Sequence, residues 1–296
     1  MEPLSLRTRR LFAAFFFVLF IVILPIVVLY ASGYRLAGLS LVATGGIHIS
    51  TPTSDVAIAL NGKDIERSSL FSRAFFIDNL EPGSYVIQAT LDGYHPWSKT
   101  LVVESQLVTD VSMLAIPQPL RVLELIEQED EAHASTTPEI LATSTVTYLP
   151  TARFEEVASA FGTTTPPVGP PSATSTEEAL PSEDVAGGAE LVIENGDLLV
   201  RWTRSSQPPS SFCTRPTLCI GHFFLEHGFQ TVTDARFFRG AVVYRTLESG
   251  IFLAEADIRQ PRLVVNVYNA PAAEFRIVNG TLYIKDNDTL YEVERF

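Results

Sequence analysis

The chain has 296 residues, room for two ordinary domains at roughly 100–200 residues each. Its 34 acidic and 21 basic side chains give a net charge of −13. That argues against nucleic-acid binding, which needs a basic face to displace counterions. Two cysteines exclude a disulfide-dense scaffold and a four-cysteine zinc site. A mean hydropathy of +0.20 is high for so acidic a chain, so apolar and acidic residues are expected in different segments.

Residues 11–30 read LFAAFFFVLFIVILPIVVLY, apolar except at Pro25. Twenty helical residues cover about 30 Å, the thickness of a bilayer's hydrocarbon core, so this run is expected to be a transmembrane helix. Arg7, Arg9 and Arg10 precede it and Arg35 alone follows closely. The positive-inside rule therefore predicts a cytoplasmic tail at 1–10 and everything after the helix outside the cell membrane. A cleaved signal peptide is the rival reading. Its apolar region is usually about 7–15 residues, shorter than this one, but Ala31-Ser32-Gly33 is small enough to be cut.

Residues 45–118 alternate apolar and polar positions between turn signals, which predicts a small β-sandwich. Strands are expected at 47–50, 56–60, 74–77, 85–89, 99–104 and 109–114. Asn61-Gly62 is a strong hairpin signal, Glu81-Pro82-Gly83-Ser84 a turn, and Asp92-Gly93 turns the chain before Tyr94 and Trp97. Gly45, Leu60, Asn61, Gly62, Leu80, Pro82, Gly83, Tyr85, Gly93, Tyr94 and Trp97 stand in an order that resembles a PEGA domain. The likeness covers about a quarter of the chain and departs at 63–73, which is longer and more charged than the family's link. It implies a small extracytoplasmic binding or spacer module of a bacterial envelope, and it carries over no catalytic residue.

Residues 127–189 hold eleven acidic side chains, one basic (Arg153), seven prolines and many Ser and Thr. They account for −10 of the −13. Such a composition buries too little apolar surface to offset its ordering entropy. It is expected to be a disordered acidic linker spanning about 45 Å, with 151–161 a candidate transient helical turn. Its Thr-Pro clusters are compatible with O-glycans, or with a bare solvated linker.

Residues 190–296 carry an internal echo. Asn195-Gly196, Arg239-Gly240 and Asn279-Gly280 each precede a strand, with the glycines 44 and 40 residues apart. That period suits β-propeller blades. A closed propeller needs about four to eight of them, so the prediction is a C-terminal β-meander resembling partial β-propeller blades, completed alone or by another chain. The expected fold class is thus mainly β throughout.

Cys213 and Cys219, with five residues between them in FCTRPTLC, are expected to form a disulfide. Closing a seven-residue loop contributes about 2.4 kcal/mol by chain entropy. His222 and His227 in HFFLEH fit neither HExxH nor HxxEH and read as strand and turn, so no metal site is predicted. His48 and His95 stand alone, and there is no GxSxG, P-loop or GxGxxG. No catalytic residue and no cofactor is predicted. Tyr85, Tyr94 and Trp97 have two readings: an aromatic platform for a sugar ligand, or core residues and a turn anchor.

Together these features predict a non-enzymatic, membrane-anchored cell-envelope protein that binds or scaffolds at the surface through extracytoplasmic β domains. The alternatives are a cell-wall glycan-binding module and an accessory subunit of an envelope enzyme or secretion complex. The expected partners are the membrane and a glycan or envelope protein, with no nucleic acid.

Overall fold

The apolar N-terminal run folds as a single helix, α1 (Leu6–Ala31), with Pro25 inside it. In this computed structural model, which describes residues 6–37, 40–65, 73–128, 146–162 and 185–294, α1 is about 39 Å long at 1.5 Å per residue. None of its apolar window is covered by protein. Gly33, at φ +82°, ends it in the left-handed region that glycine enters without steric cost. A short antiparallel hairpin follows, β1 (Tyr34–Ala37) with β2 (Ser40–Ala43).

The next strands form the expected sandwich. One sheet has β3 (Gly45–Ser50) at its centre, antiparallel to β6 (Ala74–Leu80) and parallel to β9 (Val108–Ser112). The other runs β5 (Lys63–Ile65), β4 (Ala57–Leu60), β7 (Gly83–Thr90), β8 (Trp97–Val103). The period-2 alternation turns Ile47, Ile49, Ile58, Ile87, Leu101, Val103 and Val111 into one shared core. Each fully buried aliphatic side chain contributes about 1.5–3 kcal/mol. Gly45 is required by packing: a Cβ there would lie 2.2 Å from the Glu104 carbonyl oxygen and 2.8 Å from that of Leu107.

Three antiparallel meanders make the C-terminal region. The first joins β12 (Val185–Ala186), β13 (Ala189–Glu194), β14 (Asp197–Trp202) and β17 (His222–Leu225). Between β14 and β17 lies a small hairpin of β15 (Cys213–Arg215) and β16 (Leu218–Cys219), closed by the Cys213–Cys219 disulfide. The second meander is β18 (Val232–Phe238), β19 (Ala241–Thr246), β20 (Gly250–Glu255), β21 (Val264–Tyr268). The third is β22 (Glu274–Val278), β23 (Thr281–Asp286), β24 (Thr289–Val293). The glycine echo has a structural meaning. Asn195-Gly196, Arg239-Gly240 and Asn279-Gly280 have positive φ at both residues and link β13 to β14, β18 to β19 and β22 to β23. This is the type I′ geometry that matches the strand twist.

The sheets pack in series and do not close into a barrel. Leu198, Val200, Val232, Ala235 and Tyr244 fill the first seam, and Val243, Leu253, Phe275, Leu282 and Ile284 fill the second.

Two expectations are corrected. The stretch 127–189 is not an uninterrupted disordered linker. β10 (Val122–Gln128) pairs antiparallel with β24 and so adds a fourth strand to the third meander. β11 (Val146–Pro150) then lies parallel to β10, and helix α2 (Thr151–Gly162) covers that sheet. Phe154, Val157, Ala158 and Phe161 fall on one face of α2, and they pack on Leu125, Tyr283 and Leu290. The candidate helical turn at 151–161 is thus a packed helix, its apolar residues spaced i, i+3, i+4, i+7. The rest of that stretch lies outside the described residues. Secondly, the C-terminal domain does not begin at 190, since β10, β11 and α2 belong to it.

Candidate functional site at the sandwich–meander junction

The sandwich is not held away on a tether. After β9 the chain runs directly into the second seam, where Ile116 is fully buried between the second and third meanders. Leu263 packs on both cores. Edge strand β8 faces the loop after β20, and the Thr100 N–H donates to the Gln260 carbonyl at 2.8 Å.

A ring of charged groups sits at this contact. Alternation along β8 aims Trp97 and Lys99 inward, and both are almost wholly buried. The end of β20 supplies Glu255, also buried. Lys99 Nζ lies 2.7 Å from Glu255 Oε2, and Trp97 Nε1 donates to Glu255 Oε1 at 2.9 Å. The ammonium's other protons go to the carbonyls of Arg259 at 2.8 Å and Pro261 at 3.1 Å, so all three of its donors are used. Burial pushes the Glu255 carboxyl above the ordinary carboxylate range, while Lys99 and the indole N–H pull it back. Beside it Arg259 donates Nε and Nη2 to both oxygens of Asp257 and Nη1 to the Asp110 carbonyl at 2.8 Å. The Arg259–Asp257 pair lies within one loop, and its hydrogen bond to Asp110 crosses from meander to sandwich.

Of these residues Glu255, Asp257 and Arg259 line one side of a cleft of about 710 Å³ among the sandwich, the first meander and the second. Trp202, Phe212, Ser210, Ser211 and Arg239 contribute to its other walls. Its carboxylates are already engaged: Glu255 with Lys99 and Trp97, Asp257 with Arg259. The arrangement therefore acts as an electrostatic lock between two β units. Nearby, Asp110 stands between His48 Nδ1 and Ser210 Oγ. A Ser-His-Asp relay needs the imidazole in the middle, and here the carboxylate holds that place.

The aromatic residues singled out in the sequence do not form a common platform. Trp97 is 1% exposed with its N–H given to Glu255, so its ring cannot receive a ligand; this corrects the platform reading. Tyr85 packs against the sandwich core and donates its hydroxyl to the Glu81 carbonyl at 2.9 Å. Tyr94 bridges to Pro117 at the start of the crossing segment. His222 lies on β17, and His227 Nε2 meets Asp197 Oδ1 at 3.0 Å. Sequence reasoning missed Lys99 and Glu255. The available signal was a lysine at an inward position of an otherwise apolar alternation in β8.

Fold and junction define a mainly β protein, with an N-terminal helix long and apolar enough to cross a membrane and two β units locked together. No family model matches the chain, and no curated protein matches it.

Proposed function

We propose that this chain is a non-enzymatic, single-pass protein of the cell envelope, with residues before α1 in the cytoplasm and the β units outside. There the sandwich, of PEGA type by its sequence resemblance, and the meanders form one scaffold for surface partners. The observation that carries this reading is the Trp97–Lys99–Glu255 contact, which joins two β units that follow a membrane-length helix. The Cys213–Cys219 bond fits an oxidising compartment. A second reading, an accessory subunit of an envelope complex, is favoured by open apolar residues on the outer rim of the first meander: Ile220, Phe224 and Phe229.

The test is topology in intact cells. A cysteine placed at Asp288, in the β23–β24 turn, is expected to react with a membrane-impermeant maleimide without lysis. Labelling only after lysis would overturn the proposed orientation. In-cell crosslinking from Phe229 then separates the two readings: a stoichiometric heterologous adduct favours the subunit.

A further inference from the structure

The end of α1 is hydrogen-bonded to one particular corner of the sandwich. Thr44 donates its N–H (2.8 Å) and its hydroxyl (2.7 Å) to the Gly33 carbonyl. Gln106, in the β8–β9 turn, donates its side-chain amide to the Ser32 carbonyl at 3.1 Å and its N–H to the Thr44 carbonyl at 2.8 Å. The Gly46 N–H reaches the Leu107 carbonyl at 3.0 Å. Only a glycine at position 45 lets the chain approach the 104–107 turn this closely. The turn is therefore held within one hydrogen bond of the residues that leave the helix.

That corner carries apolar side chains in the open. Leu107 is 37% exposed, Val108 49% and Leu41, on β2, 47%. The last helical turn ends on Tyr30, and the Arg35 guanidinium lies 3.7 Å from its ring centroid while donating to the Tyr30 and Tyr34 carbonyls. A tyrosine and an arginine placed so are the usual anchors at the membrane–water interface. Two acidic groups beside the patch are already engaged: Glu104 accepts from the Thr217 N–H (3.0 Å) and hydroxyl (2.8 Å), and Asp110, two residues from Val108, meets His48 Nδ1 and Ser210 Oγ.

We propose that the β8–β9 turn and strand β2 rest on the bilayer that α1 crosses, with Leu107, Val108 and Leu41 immersed in its headgroup region. The inference rests on reading α1 as a membrane span. The occupant follows from continuity: the patch adjoins the helix exit. Its effect would be to orient the sandwich, and through the Lys99–Glu255 lock the meanders, at a fixed angle to the membrane.

The test uses the full-length chain in phosphatidylcholine vesicles, with a bimane label on Leu107→Cys or Val108→Cys. Both positions are surface-exposed, so folding is preserved. Val28→Cys is the reference within the helix and Phe229→Cys the reference in the exposed loop after β17. Lipids brominated close to the carbonyl are expected to quench labels at 107 and 108 about two-fold or more, as expected for residues at interfacial depth, and to leave 229 unchanged. Quenching at 28 but not at 107 or 108 would overturn the docking and leave the membrane span standing. Quenching at none of them would overturn the span, and the docking with it. Labels at 107 and 108 shielded from aqueous iodide yet untouched by brominated lipid would mean a protein contact there, and would also overturn the docking.

Discussion

The seam between the second and third meanders and the junction between the sandwich and the second meander do the same topological work with opposite chemistry. The seam buries Val243, Leu253, Phe275, Leu282 and Ile284 without a charge among them. The junction buries an ammonium, a guanidinium and two carboxylates. An apolar seam is strong but permissive, because hydrophobic contact has no direction. A buried ion pair adds little net stability, because desolvation offsets attraction, but it is unforgiving of misplacement. The difference suggests that the meanders are glued for stability, whereas the sandwich is locked for orientation.

The largest expected effects probe that contrast directly. Glu255→Ala leaves the Lys99 ammonium buried without its counter-charge and is expected to cost about 3–5 kcal/mol in urea unfolding. The double replacement Lys99→Met with Glu255→Leu is expected to recover that loss, ending between neutral and about 4 kcal/mol more stable. Phe275→Ala in the apolar seam is expected to cost a similar 3–5 kcal/mol or so, and no second substitution should rescue it. A cost below about 1 kcal/mol for Glu255→Ala would mean that water already reaches the pair, and the contrast between the two contacts would collapse.

Turns come next in size. Arg239 occupies a left-handed position, φ +49°, where the equivalent turns have Asn195 and Asn279. Side chains with a Cβ are strained there by about 1–2 kcal/mol, asparagine least. Arg239→Asn is expected to raise stability by up to about 1 kcal/mol, read as a shift in the unfolding midpoint at constant slope. A loss would show that the Arg239 contact to the Gly280 carbonyl, at 3.2 Å, outweighs the backbone strain and adds a polar tie to the apolar seam between the second and third meanders.

These turns were legible because a type I′ hairpin is a local matter: two residues decide it. The helix α1 and the disulfide were legible for the same reason, one from an unbroken apolar run and the other from a short spacing in a chain with two cysteines. What escaped depends on partners far along the chain. β10 and β24 pair across the whole C-terminal region, and nothing in VLELIEQ names its neighbour. At α2 the sequence offered a candidate transient helical turn over 151–161; that it is a packed helix depends on the sheet that Phe154, Val157, Ala158 and Phe161 cover. Trp97 is open to both a platform and a core reading as a sequence, and its own burial, with the indole N–H given to Glu255, decides for the core. Lys99 reads as a solvated charge until the loop 257–263 is placed over it.

The smallest effect sharpens the comparison through pH. Burial raises the Glu255 carboxyl, so the folded junction holds that proton more tightly than the unfolded chain does. Its contribution is present below the ordinary carboxylate range and fades as pH rises through the folded value. Glu248, in the β19–β20 turn, is the reverse case. Its carboxylate accepts the Thr231 N–H at 2.9 Å, and that backbone hydrogen bond lowers its pKa. Its contribution is present above the ordinary value and fades as pH falls through the folded one. Unfolding of the wild type against Glu255→Gln and Glu248→Gln, followed from about pH 3 to pH 8, is therefore expected to give difference curves of opposite slope. The Glu248 curve is the shallower, because that group is exposed and screened by solvent. Slopes of the same sign would mean that Lys99 and Trp97 outweigh burial at Glu255. The junction would then be a stabilising ion pair in its own right, and the division between gluing and locking would be one of chemistry alone.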